Sequence, residues 1–317
     1  MPAYIHITAC RSILAILFFL SIYTTERKNF MNIIVCNNTY LTKMTSMPSS
    51  SLAQNQALAD SIACGEIALT DCYLLLEHDE VKARAVIMKD IAYIGYLTIE
   101  AITTKELQTF LQEIQKELNP KQNWFCDVYS DKKYFPIIQQ ALHQCFAICI
   151  ERESYTISTY PIDTSKYKHT DCTAISDTQL LSLIKDANES TLDTSIQNSI
   201  RQEGSHAYAK QFLNELTDSK EKQSMFRILC HQEQILGFVC VQRLSKEIGG
   251  IGYIGVRKQF QSHQYSSILL QIAITIAYQN KLDILIADID KKNAPMRNNL
   301  LATGFTKDCE QYVYYTY

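Results

Sequence analysis

"DKKNAPMRNNLLATGF", Asp290 to Phe305, restates an earlier stretch, "DKKYFPIIQQALHQCF", Asp131 to Phe146. The offset is 159 (290 − 131) throughout, and no gap is needed. Asp131, Lys132, Lys133, Pro136, Leu142 and Phe146 each meet an identical residue. Unrelated windows of this length share about one identity. Outward from the pair, the agreement continues. Upstream, "IGYLTI" (Ile94 to Ile99) matches "IGYIGV" (Ile251 to Val256) at an offset of 157. The patterns around them also agree. In the first copy, "CYLLLEHDEVKARAVIM" is two strands about a turn at His78-Asp79-Glu80, and "IAYIGYLTIE" is a third. Thr104 to Leu118 has apolar residues at Leu107, Phe110, Leu111, Ile114 and Leu118, which is helical spacing. Thr103 or Thr104 is placed to cap it, and Asn119-Pro120 ends it. "NWFCDVY" is a strand, Pro136 to His143 a short helix.

In the second copy, "MFRILC", "ILGFVCVQRL" and "GGIGYIGV" are strands, with "HQEQ" a hairpin turn. Tyr265 to Gln279 is a strongly apolar helix, "LDILIADI" a strand, Pro295 to Ala302 a helix closed by Gly304, and "QYVYYTY" a last strand. Asp177 to Asn188 and His206 to Leu216 are helical ahead of these. Both copies run strand, strand, strand, helix, strand, helix, strand. A repeat this long is a domain duplication and not a solenoid.

The chain's 317 residues, 47% apolar and 20% charged, suit a globular protein of two domains. Net charge is −3, with no basic face, so nucleic acid is not an expected partner. The eleven cysteines include no CxxC pair and no Cys/His spacing suited to zinc. Thiols inside apolar strands, such as Cys240 in "GFVCV", are small core residues and fit a reducing, cytoplasmic compartment. "SILAILFFLSIY" (residues 12–23) interrupts this picture. It is shorter than the roughly 20 residues that span a bilayer. Three readings stand: a leader, a membrane anchor, or translation that starts at Met31 or Met47. The many thiols favour the third. Met44 to Gln56 is Ser-rich and polar, as a linker is. The expected division is therefore 1–47 as leader or linker, 48–160 as the first copy and 161–317 as the second.

The second copy resembles the GCN5-related N-acetyltransferase (GNAT) family. The family pattern is a strand ending in Val, then Q/R-x-x-G-x-G/A opening a helix, then a strand and an Asn with Gly-Phe eleven and twelve residues on. Here these are Val256, Gln261-Ser262-His263-Gln264-Tyr265-Ser266, Asn293, Gly304 and Phe305, in register from about Tyr167 to the C-terminus. The resemblance implies a mixed α/β fold with a mostly antiparallel sheet flanked by helices. It implies acyl transfer from acetyl-CoA to an amine, small-molecule or protein. The loop from Gln261 to Ser266 would cradle the CoA pyrophosphate, because helix N-terminal amides bind phosphate. Ile254 and Val256 would pair with the pantetheine arm as an added strand, and Asn293 would hydrogen-bond the same arm. Arg257 and Lys258 either assist with phosphates or are solvated.

This sequence departs from the pattern at several points. Gln264 stands where the family has Gly, and Ser266 where it has Gly or Ala. A side chain there crowds the approach to phosphate, but Gln can still adopt a helical conformation, so binding is weakened and not excluded. The family's acid, a Tyr seven residues after the Asn, is Leu300 here, and the usual Glu slot is Gly250. Glu247, Tyr312 and Tyr314 are the remaining candidates for proton transfer. Tyr253 falls on the strand face opposite Gly252 and Ile254 and is expected in the core. In the first copy the loop reads "TTKELQ", with Tyr134 and Cys145 in the Asn and Gly slots, so no CoA is expected there. A degenerate copy before an active one loosely resembles sugar-nucleotide N-acetyltransferases of the TDP-fucosamine type. The empty acid and base slots leave a second hypothesis, a catalytically inactive GNAT fold that binds a partner.

Overall fold

The structure, a computed structural model, describes residues 31–316 except Glu233. The chain forms two compact units that divide between Gln122 and Asn123.

In the first unit, β1 (Met31–Val35), β2 (Cys72–Glu77), β3 (Glu80–Met88) and β4 (Tyr93–Ile99) are antiparallel neighbours in that order. Helices α1 (Leu41–Thr45), α2 (Leu52–Ala63) and α3 (Thr104–Lys116) accompany them. The stretch expected as a linker is a correction: residues 44–56 lie within and between α1 and α2. Its serines make a helix cap and longer-range hydrogen bonds and do not mark a free linker. Ser51 caps α2 through Gln54 N, Ser49 Oγ donates to Ile99 O, and Met44 and Met47 are buried. Residues 31–47 thus carry β1 and α1. The apolar run at 12–23 lies outside the described residues. Among those described, no helix is long and apolar enough to cross a membrane.

The buried Arg84 organises this unit. Its guanidinium donates to Met44 O (2.5 Å), Asn55 Oδ1 (2.7 Å), Ser50 Oγ (2.9 Å) and Tyr96 O (3.4 Å). Burial pulls its pKa down to about 10, so it stays charged at neutral pH.

The second unit begins with β5 (Phe125–Tyr129), α4 (Phe135–Cys145), β6 (Ile148–Ser158) and β7 (His169–Asp171). Then come α5 (Asp177–Asn188), α6 (Thr194–Glu203), α7 (Ser205–Thr217) and α8 (Lys220–Ser224). The rest is β8 (Phe226–His231), β9 (Gln234–Arg243), β10 (Ile248–Val256), α9 (Tyr265–Gln279), β11 (Ile284–Asp290), α10 (Ala294–Ala302) and β12 (Thr306–Tyr315). Its strand order is β5-β12-β6-β11-β10-β9-β8-β7. All neighbours are antiparallel except β10 and β11. β5 and β6 come from the first sequence copy, yet β12 lies between them, with Tyr312 opposite both Val128 and Glu151. With β5 and β6 paired to β12, the compact units divide at 122/123 and not near 160, where the boundary between sequence copies was expected.

β9 is apolar on both faces because both are covered. Val239 and Val241 pack with Leu269, Ala273 and Ile276 of α9. Phe238 and Cys240 pack with Leu180, Ile184 and Leu213 of α5 and α7. Each such buried aliphatic side chain stabilises the unit by about 1.5–3 kcal/mol. Gly304, at φ +98°, ends α10 in a conformation that a side chain disfavours, which turns the chain into β12.

Candidate active site

The site follows from an interrupted ladder. β10 and β11 pair in parallel only at Ile248–Gly250 and Ile284–Ile286. β10 then stays with β9 as far as Val256, and β11 stays with β6 as far as Asp290. The two strands therefore part, and the edges that face each other beyond Gly250 and Ile286 carry no mutual ladder. A register shift between Ile251 and Tyr253 bends β10 at the parting. Tyr253 lies on the face opposite Ile254, as expected, and packs on Phe238 and Phe212 in the core while also lining the opening.

Two cavities occupy the parting. One, of about 500 Å³, lies along the end of β10 and the start of α9. The other, of about 440 Å³, lies on the side of α6 and α7. They share Thr191, Tyr253, Ile254, Asn293 and Met296.

The first cavity gathers Ile254, Val256, Gln261, Ser262, Gln264, Tyr265, Ser266 and Asn293. His263 is not part of its lining. Its ring stacks on Tyr265 with Nδ1 2.7 Å from Gln261 O. No side chain caps α9, so its first turn meets the cavity with helical N–H groups that have no intrahelical acceptor. Gln264 does not take the helical conformation open to it. It sits at φ +63°, ψ 9°, and Ser262 sits at φ +66°. The turn into α9 demands left-handed backbone, which is the reason glycine suits this loop. Gln261 holds the turn in place: Nε2 donates to Val256 O (3.2 Å), and the side chain bonds Ser190 Oγ. Asn293 Oδ1 caps α10 through Met296 N (3.2 Å). Arg257 pairs with Asp186 (2.6 Å) and Lys258 with Glu189 (3.5 Å), so both cations already have carboxylate partners.

The second cavity holds groups that the sequence reading passed over: Arg152, Asp193, Asp288 and Asp290. Asp193 caps α6 through Ser195 N and Ile196 N, and Arg152 Nη1 reaches its other oxygen at 3.2 Å. Asp290 is 2% exposed. Burial pushes its pKa up, but hydrogen bonds from Thr194 and Lys292, with the Lys292 charge, outweigh this and hold it below the usual aspartate value. For Asp288 the balance is reversed. Burial raises its pKa, the Ser154 hydroxyl and Arg152 charge oppose that, and Asp127 and Asp308 add to the rise. Period-two spacing of Ile286, Asp288 and Asp290 along "LDILIADID" was the available signal, since two carboxylates on one face of an otherwise apolar strand are costly unless used.

The structure places the three candidates for proton transfer outside both cavities. Tyr312 donates to Glu310 Oε2 (2.8 Å) and packs on Phe135. Tyr314 is fully buried against His143 and Phe146. Glu247 is exposed in a turn, where its carbonyl accepts from Asp283 N. Among the described residues no group of His, Cys, Asp or Glu is arranged to hold a metal ion.

Residues 190–305 match the acetyltransferase (GNAT) family. No curated protein matches the chain. Among solved structures, a GCN5-related N-acetyltransferase from Sphaerobacter thermophilus aligns over 90% of this chain and 95% of its own, at 10% identity and TM-score 0.57. A tandem GNAT protein from the clavulanic acid biosynthesis pathway, solved without AcCoA, aligns over 90% and 99%, at 10% identity and TM-score 0.52. An acetyltransferase of the GNAT family from Colwellia psychrerythraea aligns over 90% and 99%, at 11% identity and TM-score 0.51. At such identities the likeness is one of fold.

Proposed function

Because residues 190–305 belong to the acetyltransferase (GNAT) family, we propose that the chain transfers an acetyl group from acetyl-CoA to a primary amine. The observation that carries this reading is the meeting of two cavities at the parting of β10 and β11. Acyl transfer between two soluble molecules requires a thioester and a nucleophile to arrive from different sides at one point, already oriented. One cavity suits the thioester. The edge of β10 that faces away from β9 at Ile254 and Val256, where Val256 O already accepts from Gln261, offers its remaining backbone groups to the pantetheine amides in the manner of an added strand. The uncapped start of α9 offers N–H groups and a positive dipole end to the pyrophosphate. Asn293 borders both cavities, which supports a role beside the arm between them. The other cavity takes the amine.

None of the described cysteines is in a disulfide, which supports a reducing, cytoplasmic setting.

Calorimetric titration of the full chain with acetyl-CoA, followed by measurement of CoA thiol release with amines, tests the reading. Saturable binding at one site per chain and amine-dependent thiol release are expected. A folded chain that binds no acetyl-CoA overturns the proposal. Binding without release to any amine establishes the inactive fold in its place.

A further inference from the structure

The cavity on the α6 and α7 side selects among amines, an inference that rests on the transferase reading above. Its wall is aromatic: Tyr208 and Phe212 stack at 5.5 Å, and Phe212 meets Tyr253 edge-on at 5.0 Å. Ile196, Leu244 and Ile286 extend that apolar surface. Its charged groups are mostly engaged. Arg152 is bound to Asp193 and to the Asp288 carbonyl (2.9 Å). Asp193 and Asp290 accept backbone N–H groups at the start of α6 and α10. Asp288 differs. Its Oδ1 is buried and has no hydrogen-bond partner among the described residues, a state that is costly unless a donor arrives.

We propose that the acceptor is a small primary amine with an apolar, aromatic-sized body. Its ammonium docks on Asp288, its body lies against Tyr208, Phe212 and Tyr253, and Asp288 takes the proton that must leave before attack. Asp288 carboxylate removes one proton from the ammonium. The freed nitrogen forms a C–N bond to the thioester carbonyl carbon, and the C–S bond breaks. The second nitrogen proton passes to the departing sulfur, giving CoA thiol and amide, and Asp288 returns its proton to solvent. The raised pKa of Asp288 suits a proton acceptor working against an ammonium. The groups that face it are Arg152 on β6, Asp127 and Tyr129 on β5, Asp308 and Cys309 on β12, Asp193 before α6 and Asp290 on its own strand. An amino sugar would set hydroxyls against Tyr208 and Phe212, with Thr191, Ser195, Gln242 and Asn293 at other points of the lining as their only partners there. A polyamine would bring further ammonium groups to a cavity whose other carboxylates are engaged.

The test is thiol release by the full chain at saturating acetyl-CoA with phenethylamine, glucosamine, spermidine and a lysine peptide. Phenethylamine should lead in kcat/KM by about tenfold or more. Asp288→Asn should lower kcat/KM about a hundredfold, abolish the acid limb of its pH profile and leave acetyl-CoA affinity unchanged, while Asp288→Glu recovers part of the rate. A preference for a hydrophilic amine overturns the inference and leaves the transferase reading standing. Retention of rate and acid limb in Asp288→Asn does the same. Absence of acetyl-CoA binding overturns both.

Discussion

The helix that begins at Thr104 and the helix that begins at Tyr265 occupy matching places in the two copies, and their first turns are finished differently. At the first, Thr103 Oγ1 accepts from Glu106 N, and Glu106 Oε2 accepts from Thr103 N at 2.8 Å, a reciprocal capping box. At the second no side chain caps the helix, and the residue in the cap position is held in left-handed backbone beside a cavity of about 500 Å³. Arg84 extends the contrast, since its buried charge is met wholly by acceptors of its own unit. Asp288 is its counterpart in the second unit, with one oxygen left unmet. In the first unit both of these polar features, the helix start and the buried charge, are met from within. The second keeps groups in reserve at the parted strands. The difference separates a scaffold from a site without reference to hydrophobic patterning, which is nearly the same in both.

The contrast can be broken at four points. Removing the satisfied charge, Arg84→Ala, should leave Met44 O, Tyr96 O and Asn55 without their donor. A loss of about 3–5 kcal/mol is expected in the urea-induced unfolding of the first unit, and an unchanged midpoint would show that the network is dispensable. Placing a negative charge at the open helix start, Gln264→Glu, should weaken acetyl-CoA binding about a hundredfold through repulsion near the phosphates, as read by calorimetry. Gln264→Gly acts in the opposite sense. Releasing left-handed strain should stabilise the unit by about 1 kcal/mol, a rise in Tm of roughly 2–4 °C, with binding equal or tighter. Thr103→Ala should cost about 1 kcal/mol and leave acetyl-CoA binding as it is. If binding fell with it, the closed helix start would have a part in the site.

A fifth measurement concerns acid. Glu153 receives hydrogen bonds from Arg297 (2.6 Å), Lys307 (3.1 Å) and Tyr155 (3.1 Å). Burial raises its pKa, yet these partners outweigh burial and leave it below the ordinary value of 4.5. A depressed carboxylate contributes stability that is present above the unfolded value and lost as pH falls through the folded one. Glu153→Gln should therefore lose about 1.5 kcal/mol at neutral pH and show a shallower decline below pH 4.5, followed by thermal melts across that range.

Elements with strong local signals were legible in the sequence. Tyr265–Gln279 has the bounds its apolar pattern gives, and the capping box at Thr103 stands three residues ahead of Glu106 as the motif requires. Helix α6 escaped because it buries no residue outright and so shows no apolar stripe, although Asp193 before "TSIQ" is a cap signal. β1 and α1 escaped because each is only five residues long, too short to show a periodic pattern. The loop from Gln261 to Ser266 was found through the resemblance of its surroundings to the GNAT pattern. The left-handed backbone of Gln264 was not, since nothing in the residue itself announces it. Asp288 was hidden for another reason: its significance lies in what fails to reach it, and that depends on residues from β5, β6 and β12 far away in sequence.

The strand order β5-β12-β6 has a bearing on inheritance. β12 is made last, and it threads between two strands encoded by the first copy, so the interior of the second unit is the joint property of both halves of the gene. Cutting the gene at the copy boundary would give one product with a slot and another with a loose strand. Two genes joined end to end can ordinarily be parted again by recombination. Here the exchange ties the halves together: deleting either copy would remove strands that the sheet of the second unit requires.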